Sequence, residues 1–330
     1  MTSTSLTTRR SWRPSLSRRH VPVLATLTLL LVMYGIGVSQ YRAFSNVQVV
    51  FNVFIDNGFV LVVAVGMTFV ILTGGIDLSV GAVVAMTAMV SAALLRDGVP
   101  AALVLVIALL IGPILGFLMG CAIHFFDIQP FIVTLAGMFF ARGMCTFISG
   151  ASISITDGFW TGMSQERIGN PAGNFVSISV LIAFAVVLVA AYVLAYTRFG
   201  RNVYAVGGNA QSALLMGLPV GRTRIAVYTI SGLCSAIGGI LLSFYTLSGA
   251  PLIAVGMELD VIAAVVIGGT VLTGGSGYVF GTVLGVLVLG VIQTLITFDG
   301  SLNSWWTKIV IGGLLFAFIL LQRLIGIRFK

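Results

Sequence analysis

The sequence predicts an all-α, polytopic membrane protein with about ten transmembrane helices. Of its 330 residues, 58% are hydrophobic and only 8% are charged, whereas soluble domains carry about 25% charged residues. The apolar residues form continuous stretches that are long enough to cross about 30 Å of hydrocarbon as helices. These stretches lack the alternation that is typical of a transmembrane β-barrel. Together the observations exclude a soluble fold and favour a helical bundle in a bilayer.

The predicted spans follow one another with short connections over most of the chain. A basic tail at 1–19 precedes a transmembrane domain over 20–330. The tail is rich in arginine and serine, which is also typical of targeting peptides, but no clean cleavage site follows it. The expected spans are 20–39, 47–72, 78–95, 99–123, 130–148, 176–196, 225–247, 257–272, 278–297 and 305–322.

The net charge of +8 is compatible with a nucleic-acid partner, but the distribution of the charge argues against one. Twelve of the 17 basic residues lie in three segments, 1–19, 197–224 and 323–330. With ten spans, all three segments fall on the same side of the membrane. This is the pattern of the positive-inside rule, so both termini are expected in the cytoplasm, with lipid and not nucleic acid around the chain.

Two loops are longer than the others. The loop 149–175 is polar and is expected outside the cell. The inner loop 197–224 contains a predicted short helix from Asn209 to Leu218, with Asn209 as its N-cap and with Gly217 and Pro219 at its end. Its small and apolar residues favour either a docking surface for a cytosolic partner or an interfacial helix that lies on lipid.

The stretch Thr73–Gly81, "TGGIDLSVG", places a carboxylate and flexible backbone at a membrane boundary. Gly74 and Gly75 allow the chain reversal that ends the second span. Asp77 is expected in water, where it caps a helix that begins at Leu78. Part of the motif recurs 200 residues later: Leu72–Gly81 and Leu272–Gly281 share Leu-Thr-Gly-Gly and a later glycine. This echo is either a repeat of the kind found in transporters or a coincidence.

A few polar residues fall inside or at the ends of spans. Asn52, Asp56 and Asn57 lie on the second span, and Asp56 is near mid-depth with Asn52 one turn away. They indicate either a polar stripe on a solute path or hydrogen bonds between helices. Trp305 and Trp306 begin the last span, where they suit an aromatic belt or, less simply, sugar stacking. Glu258 and Asp260 are expected to face water. Arg142 is expected to snorkel or to pair with an acid.

Several chemistries are missing from the chain. Neither of its two lysines lies in a P-loop, so ATP would have to be used by another subunit. Residues 274–277 match the GxSG string of intramembrane serine proteases, but both histidines, His20 and His124, precede Ser276. The three cysteines have no metal-ligand spacing. We therefore predict a protein that is not an enzyme, has no metal site, and carries no cofactor of its own.

Four blocks of sequence, in order, resemble the bacterial ABC sugar-importer permeases of the ribose/xylose/arabinose type. The blocks are "GMTFVILTGGIDLSVGAVVA" (66–85), "QPFIVTLAGMFFARG" (129–143), "YAVGGNAQSALLMGL" (204–218) and "GMELDVIAAVVIGGTVLTGGSGYVFGTVLG" (256–285). The likeness covers roughly 45–325. Within the family, residues 56–81 and 298–312 look most like a permease subunit of the galactofuranose importer.

The resemblance implies a monosaccharide permease of the bacterial inner membrane. Its expected partners are a periplasmic sugar-binding protein, a second permease chain, similar or identical, and a cytosolic ATPase that uses the ATP. By this resemblance the ATPase docks at Gly208, Asn209, Ala213 and Gly217. The expected signature turn consists of Gly74, Gly75, Asp77, Ser79 and Gly81. The expected substrate pathway contains Asn52, Asp56, Asn57, Asp77, Trp305 and Trp306. Permeases for nucleosides or branched-chain amino acids remain alternatives.

Overall fold

A computed structural model describes the backbone of residues 21–169, 173–300 and 304–328, and their side chains except 21, 304 and 321–328. The predicted tail at 1–19 lies outside the described residues. The helices are α1 Val21–Gln40, α2 Val47–Leu72, α3 Val80–Arg96, α4 Ala101–Phe125, α5 Pro130–Ile148, α6 Gly158–Gln165, α7 Ile178–Tyr196, α8 Arg198–Gly208, α9 Ala210–Leu215, α10 Val220–Thr246, α11 Met257–Ile267, α12 Val279–Asp299 and α13 Ser304–Arg328. A 3₁₀ turn covers Arg42–Ser45.

The strands are short and lie between the helices. They are β1 Ile153–Ser154, β2 Arg167–Gly169, β3 Phe175–Ser177 and β4 Ser248–Gly249. Strand β1 pairs antiparallel with β4, and β2 pairs antiparallel with β3. The loop predicted over 149–175 therefore contains the helix α6 and most of a small hairpin.

The helical membrane fold predicted from composition is confirmed. Among the described residues, seven helices, α1, α2, α4, α5, α7, α10 and α12, are long and apolar enough to cross a membrane. Helix α3 and the stretch Trp305–Leu320 of α13 are apolar but shorter. These nine elements correspond to nine of the ten predicted spans.

The predicted span 257–272 is wrong, because its helix α11 has only 11 residues. At 1.5 Å per residue it covers roughly 16 Å, about half of the hydrocarbon thickness. Gly269 ends it early: it adopts φ +93°, and the amides of Gly269 and Thr270 close back onto the carbonyls of Val266 and Val265. This is the glycine cap that commonly terminates a helix.

Helices α2 and α10 form the centre of the bundle. Every residue from Leu61 to Leu72 of α2 is buried, as expected for a helix that is apolar on all sides. Helix α10 packs antiparallel to α4, because Gly112 meets Gly232 while Gly120, further along α4, meets Ile225. A methyl group on Gly112 would overlap the carbonyl of Gly232. Small residues thus let the two backbones approach closely, as in other membrane helix pairs.

The segment between α10 and α11, residues 248–256, is largely non-helical and runs along α3. It passes Ala88 near its start, and the carbonyl of Ala254 approaches Gly81 near its end. Arg142 Nη1 of α5 donates to the carbonyls of Pro251 (3.1 Å) and Ile253 (2.6 Å). Non-helical backbone inside a membrane protein requires such internal partners. The hydrogen bonds of Arg142 thus go to backbone carbonyls, and the acid expected beside it is represented by the nearby charge of Glu258.

The acidic residues at the start of α11 also differ from expectation. Glu258 is half-buried, and its Oε2 would lie 2.6 Å from a methyl group on Gly81. Asp260 pairs with Lys308 of α13. Both side chains therefore contact neighbouring helices and are not simply exposed to water, contrary to what the sequence had predicted.

The two ends of the bundle differ in their secondary structure. We call the end that carries α8 and α9 the α9 end; the last residue of α2 and the first turn of α10 also lie there. The opposite end carries α6 and the β2–β3 hairpin, and we call it the α6 end. The segment 197–224, predicted as a loop with one short helix, instead holds α8 and α9, and α10 begins at Val220 and not at 225.

Candidate functional site

The turn at the end of α2 is a glycine-dependent cap. The amide of Gly75 donates to the carbonyl of Val70 (3.1 Å), and the amide of Gly74 donates to that of Ile71 (2.9 Å). Gly74 has φ +79°, a conformation that favours glycine. The two bonds define a Schellman motif, so the predicted reversal at Gly74 and Gly75 is confirmed.

Asp77 is completely buried, and the prediction that water reaches it is wrong. Its Oδ1 accepts hydrogen bonds from the amide (3.0 Å) and the hydroxyl (2.6 Å) of Ser79. Its Oδ2 accepts from the hydroxyl of Ser231 on α10 (2.8 Å). The helix it precedes begins at Val80 and not at Leu78. The chain thus folds back from the end of α2 into the bundle, where Asp77 joins the start of α3 to α10.

The two Leu-Thr-Gly-Gly segments pack directly against each other. The amide of Gly275 donates to the carbonyl of Leu72 (2.9 Å), and a methyl group on Gly274 would lie 2.8 Å from the amide nitrogen of Gly74. Gly207 of α8 closes the same contact, since a methyl group there would overlap the carbonyl of Leu72. We call this contact of residues 72–75, 207 and 272–275 the twin-turn junction.

Helix α8 is also held by a side chain to the segment that follows the second turn. The hydroxyl of Tyr204 donates to the carbonyl of Gly277 (2.8 Å). Burial, with a smaller contribution from nearby Tyr278, raises the pKa of Tyr204 above its ordinary value, so the hydroxyl remains protonated as a donor. Thr197 accepts from the amide of Gly200 and caps α8 at its start. No sequence pattern had predicted this helix.

Helix α9 confirms the predicted short helix in the segment 209–218. Asn209 Oδ1 accepts from the amide of Ser212 (2.8 Å), and Gly217 (φ +76°) ends the helix with a bond from Leu218 to the carbonyl of Ala213 (3.0 Å). Ala213 is buried in a small cluster with Val206 and Val220. Of the predicted docking residues, Ala213 is buried, while Gly208, Asn209 and Gly217 are exposed, and Asn209 and Gly217 also cap α9.

The exposed face of α9 is apolar. Leu214, Leu215 and Met216 are 57%, 80% and 68% exposed. Gly208, the last residue of α8, has open space around its Cα. Arg201 lies in the preceding helix and Arg222 in the following one. The α9 end therefore presents a short, capped helix whose exposed face is apolar and whose neighbouring helices carry basic residues.

The polar residues of α2 lie on two different faces. The exposed Asn52 accepts from Gln48 (2.8 Å), and Asp56 accepts from the hydroxyl of Tyr245 on α10 (3.1 Å). Asn57 is buried, donates to the carbonyl of Val53 (2.9 Å) and packs against α12. Asn52 and Asp56 thus form a stripe toward the α6 end, while Asn57 belongs to a helix contact.

Trp305 and Trp306 lie on α13, which packs chiefly on α11 and α12. Both indoles are exposed. The main contacts of α13 therefore do not include α2, which carries the stripe. Instead, Tyr245 joins Asp56 to a cavity of about 210 Å³ at the α6 end. That cavity is lined by Ile55, Phe59, Met163, Ser164, Glu166, Arg167, Phe175, Ser177, Ser179, Leu241, Phe244 and Tyr245.

The site has no constellation for hydrolysis within the described residues. Ser276 lines a groove between α7, α8 and α12. His124 sits against Gly221 at the start of α10 and does not line that groove. No group of three metal-ligating side chains occurs in the part of the chain that the structure describes. The hydrolase alternative therefore has no geometric support.

A multi-span helical bundle with a short, capped helix exposed at one end has the architecture of a membrane transport subunit, and the comparison with known families assigns that class. The chain belongs to the family described as "Branched-chain amino acid transport system / permease component", whose model matches residues 49–319. The protein is thus a permease component and not an enzyme. No solved structure matches it significantly.

Three curated relatives cover most of the chain. It is 45% identical to the inner membrane ABC transporter permease protein YjfF of Escherichia coli K12, over 93% of each chain. It is 43% identical to the fructose import permease protein FruG of Bifidobacterium longum, over 93% of this chain and 92% of the relative. It is 36% identical to the ribose import permease protein RbsC of E. coli K12, over 86% and 88%.

Proposed function

We propose that this chain is a permease subunit of an ATP-driven importer that carries a monosaccharide across the bacterial inner membrane. The names of the relatives above support a sugar, since two of them are import permeases for fructose and ribose. Within the sugars we propose galactofuranose, because of the resemblance at 56–81 and 298–312. A cavity lined by aromatic rings and hydroxyls at the α6 end suits a neutral polyol.

The observation that carries an ATP-driven mechanism is the exposed face of α9. Leu215 is 80% exposed, and it lies on a helix that is capped at both ends. A preorganised apolar anchor is what a stable protein contact needs at its centre. We propose that a cytosolic ATPase covers it, so that the α9 end faces the cytoplasm, as the basic residues nearby also indicate. ATP is then used by that partner.

The proposal includes two further partners. A second permease chain, either similar or identical, completes the membrane unit, and a periplasmic binding protein delivers the sugar at the α6 end. Both chain termini lie in the cytoplasm. Genes for an ATPase, a second permease and a secreted binding protein beside the gene for this chain are expected.

The test is uptake by proteoliposomes that contain the complete importer and internal ATP. Labelled D-galactose, which holds a furanose fraction at equilibrium, is compared with D-ribose, D-fructose, D-allose, L-leucine and adenosine. We expect ATP-dependent uptake of galactose above all others. Preferred uptake of another sugar would remove galactofuranose alone. Uptake of leucine or adenosine with no sugar uptake would contradict the sugar function, and uptake without ATPase would contradict the ATP-driven mechanism.

A matched pair of leucines checks the role of α9 in the same assay. Leu215→Ser should weaken ATPase binding roughly tenfold or more, since an anchor residue contributes about 2 kcal/mol. Leu188→Ser, at a 69% exposed position on α7, should leave both ATPase binding and uptake unchanged. Equal ATPase binding by both variants would indicate that α9 lies on lipid.

A further inference from the structure

The α9 end contains another cavity, with a volume of about 450 Å³. Of the predicted site residues, only Gly74 and Gly75 line it. It lies where the turn after α2, the connection between α4 and α5, and the first turns of α10 meet. Its lining consists of Thr73, Gly74, Gly75, Ile123, Asp127, Ile128, Gln129, Pro130, Arg224 and Tyr228. Its volume is within the range of about 300–1,000 Å³ that is typical of small-molecule sites.

Four polar side chains around this cavity have unused hydrogen-bonding capacity. The Tyr228 residue is 1% exposed, and its hydroxyl has no hydrogen-bond partner among the described residues. The side chains of Asp127, Gln129 and Arg224 likewise form no hydrogen bond or ion pair with a described residue. Asp127 and Gln129 are exposed and Arg224 is half-buried, so water can satisfy these three groups. The buried Tyr228 hydroxyl lacks the partner that buried polar groups normally find, and it is the group that points to a polar ligand in the cavity.

The chemistry of the lining favours a neutral ligand with many hydroxyls. Arg224 supplies donors, Asp127 supplies acceptors, and Gln129 and Tyr228 supply both. The two charges have opposite signs, so the cavity has no net preference for an anion or a cation. Ile123 and Ile128 add apolar wall, against which the carbon face of a sugar ring can lie.

Polar side chains on α10 extend from the cavity into the bundle. Arg224, Tyr228 and Ser231 follow at spacings of four and three residues, which places them on one face of α10. Ser231 donates to the buried carboxylate of Asp77. On the opposite wall, the backbone of Gly75 lies directly against the Tyr228 hydroxyl, where a methyl group would overlap it. The signature turn thus forms part of the cavity.

We propose that this cavity is a binding site for the transported monosaccharide at the α9 end, occupied before the sugar is released. The assignment of the ligand as a sugar rests on the proposed function. An amino acid would place its carboxylate at Arg224 and its ammonium group at Asp127, and its binding is an outcome that the experiment separates.

The experiment measures whether a sugar protects the cavity from a thiol reagent. The complete importer is placed in inverted membrane vesicles, with the partly exposed Cys121 replaced by alanine. Gln129→Cys places a thiol in the cavity. Arg222→Cys is the matched control, since Arg222 is exposed on α10 and does not line the cavity. A membrane-impermeant maleimide is added with D-galactose, L-leucine or sodium phosphate.

We expect D-galactose to slow labelling of Gln129→Cys about tenfold at ten times its dissociation constant, and to leave Arg222→Cys unchanged. Leucine and phosphate should protect neither position. Adding Arg224→Gln should raise the half-protecting concentration of galactose about tenfold, the loss expected for hydrogen bonds from a charged donor. Asp127→Cys provides a second labelling position should Gln129→Cys not assemble.

Three results would overturn the site. They are protection by leucine or phosphate alone, equal protection of Gln129→Cys and Arg222→Cys, and absence of protection at both cavity positions in vesicles whose importer transports galactose. The last result leaves the proposed function intact, because transport is measured separately with the unsubstituted importer. Conversely, failure of that importer to transport any sugar rejects the proposed function whatever the labelling shows.

Discussion

The two Leu-Thr-Gly-Gly turns, at 72–75 and at 272–275, share four residues and differ in what they do. The first closes the long helix α2 with two cap bonds and leads into a buried carboxylate, Asp77. The second closes no helix, because Gly269 has already ended α11. There, Gly274 and Gly275 both have positive φ, +86° and +76°, and their backbone packs on the first turn and on Gly207.

The difference shows how one short motif can serve either as a helix cap or as a packing surface. Two adjacent glycines permit both uses, since they allow left-handed backbone and also close approach. At the twin-turn junction the second turn meets the end of α2 and the end of α8. Helix α9 follows α8 after one residue, Asn209. Helix α9 is therefore connected, through Asn209 and the contact of Gly207 with Leu72, to the first turn, which lines the cavity at the α9 end.

The largest expected loss of stability comes from a substitution that displaces both turns at once. Gly207→Ala places a methyl group on the Leu72 carbonyl and 2.5 Å from the amide of Gly275, so both turns must move. We expect a loss of about 3 kcal/mol, the upper range for overpacking, seen as a lower midpoint of thermal unfolding in detergent. Gly208→Ala, the neighbouring residue with open space around it, is the control. Similar midpoints for the two variants would show that the junction is not tightly packed.

Smaller losses of stability are expected when each turn is substituted on its own, and they should differ between the two turns. Gly274→Ala introduces left-handed strain and brings a methyl group 2.8 Å from the Gly74 amide nitrogen, while Gly74→Ala introduces the same strain with its nearest atom at 3.3 Å. Since left-handed backbone costs about 1–2 kcal/mol for a residue with a Cβ atom, we expect about 1 kcal/mol for Gly74→Ala and about 2 kcal/mol for Gly274→Ala. Thermal midpoints measured side by side check the order. The reverse order would make the first turn the more constrained one.

The side chains that follow the two turns are also expected to differ in their effect. Asp77→Asn should lose about 1.5 kcal/mol, because the amide cannot accept all three hydrogen bonds that the carboxylate accepts. We expect lower expression or weaker coupling to ATP hydrolysis, with an unchanged order of preference among sugars. Ser276→Ala should alter neither stability nor uptake. An altered sugar preference in Asp77→Asn at normal expression would make Asp77 a substrate ligand, and lost uptake in Ser276→Ala would revive a chemical role for that serine.

Much of the fold follows from local sequence. Nine predicted spans correspond to helices because a long apolar run in lipid can satisfy its backbone only as a helix. The predicted caps at Gly74, Asn209 and Gly217 are correct because each depends on one residue and its own helix. The span 257–272 failed because the glycine pair that ends α11, Gly268-Gly269, looks like any other small pair in an apolar run.

The candidate site is less accessible from sequence, since its groups come together from distant segments. From the sequence, Arg224 is one of several basic residues in the inner loop, and Tyr228 is one of several aromatic residues in the predicted spans. Only the packing of α10 against the turn at Gly75 makes them walls of one cavity. The expected solvent contact of Asp77 failed for the same reason, because the bond partner that lets it be buried, Ser231, lies 154 residues away.

The sequence by itself determined the class of the molecule, its span pattern and the short capped helix, since hydropathy and capping act over a few turns of chain. The tertiary structure decided that the two similar glycine turns meet, that Asp77 is buried between α3 and α10, and that an unpartnered tyrosine faces a polar cavity. Those outcomes depend on which backbones can approach, and that is set by glycines on different helices whose contact no local pattern records.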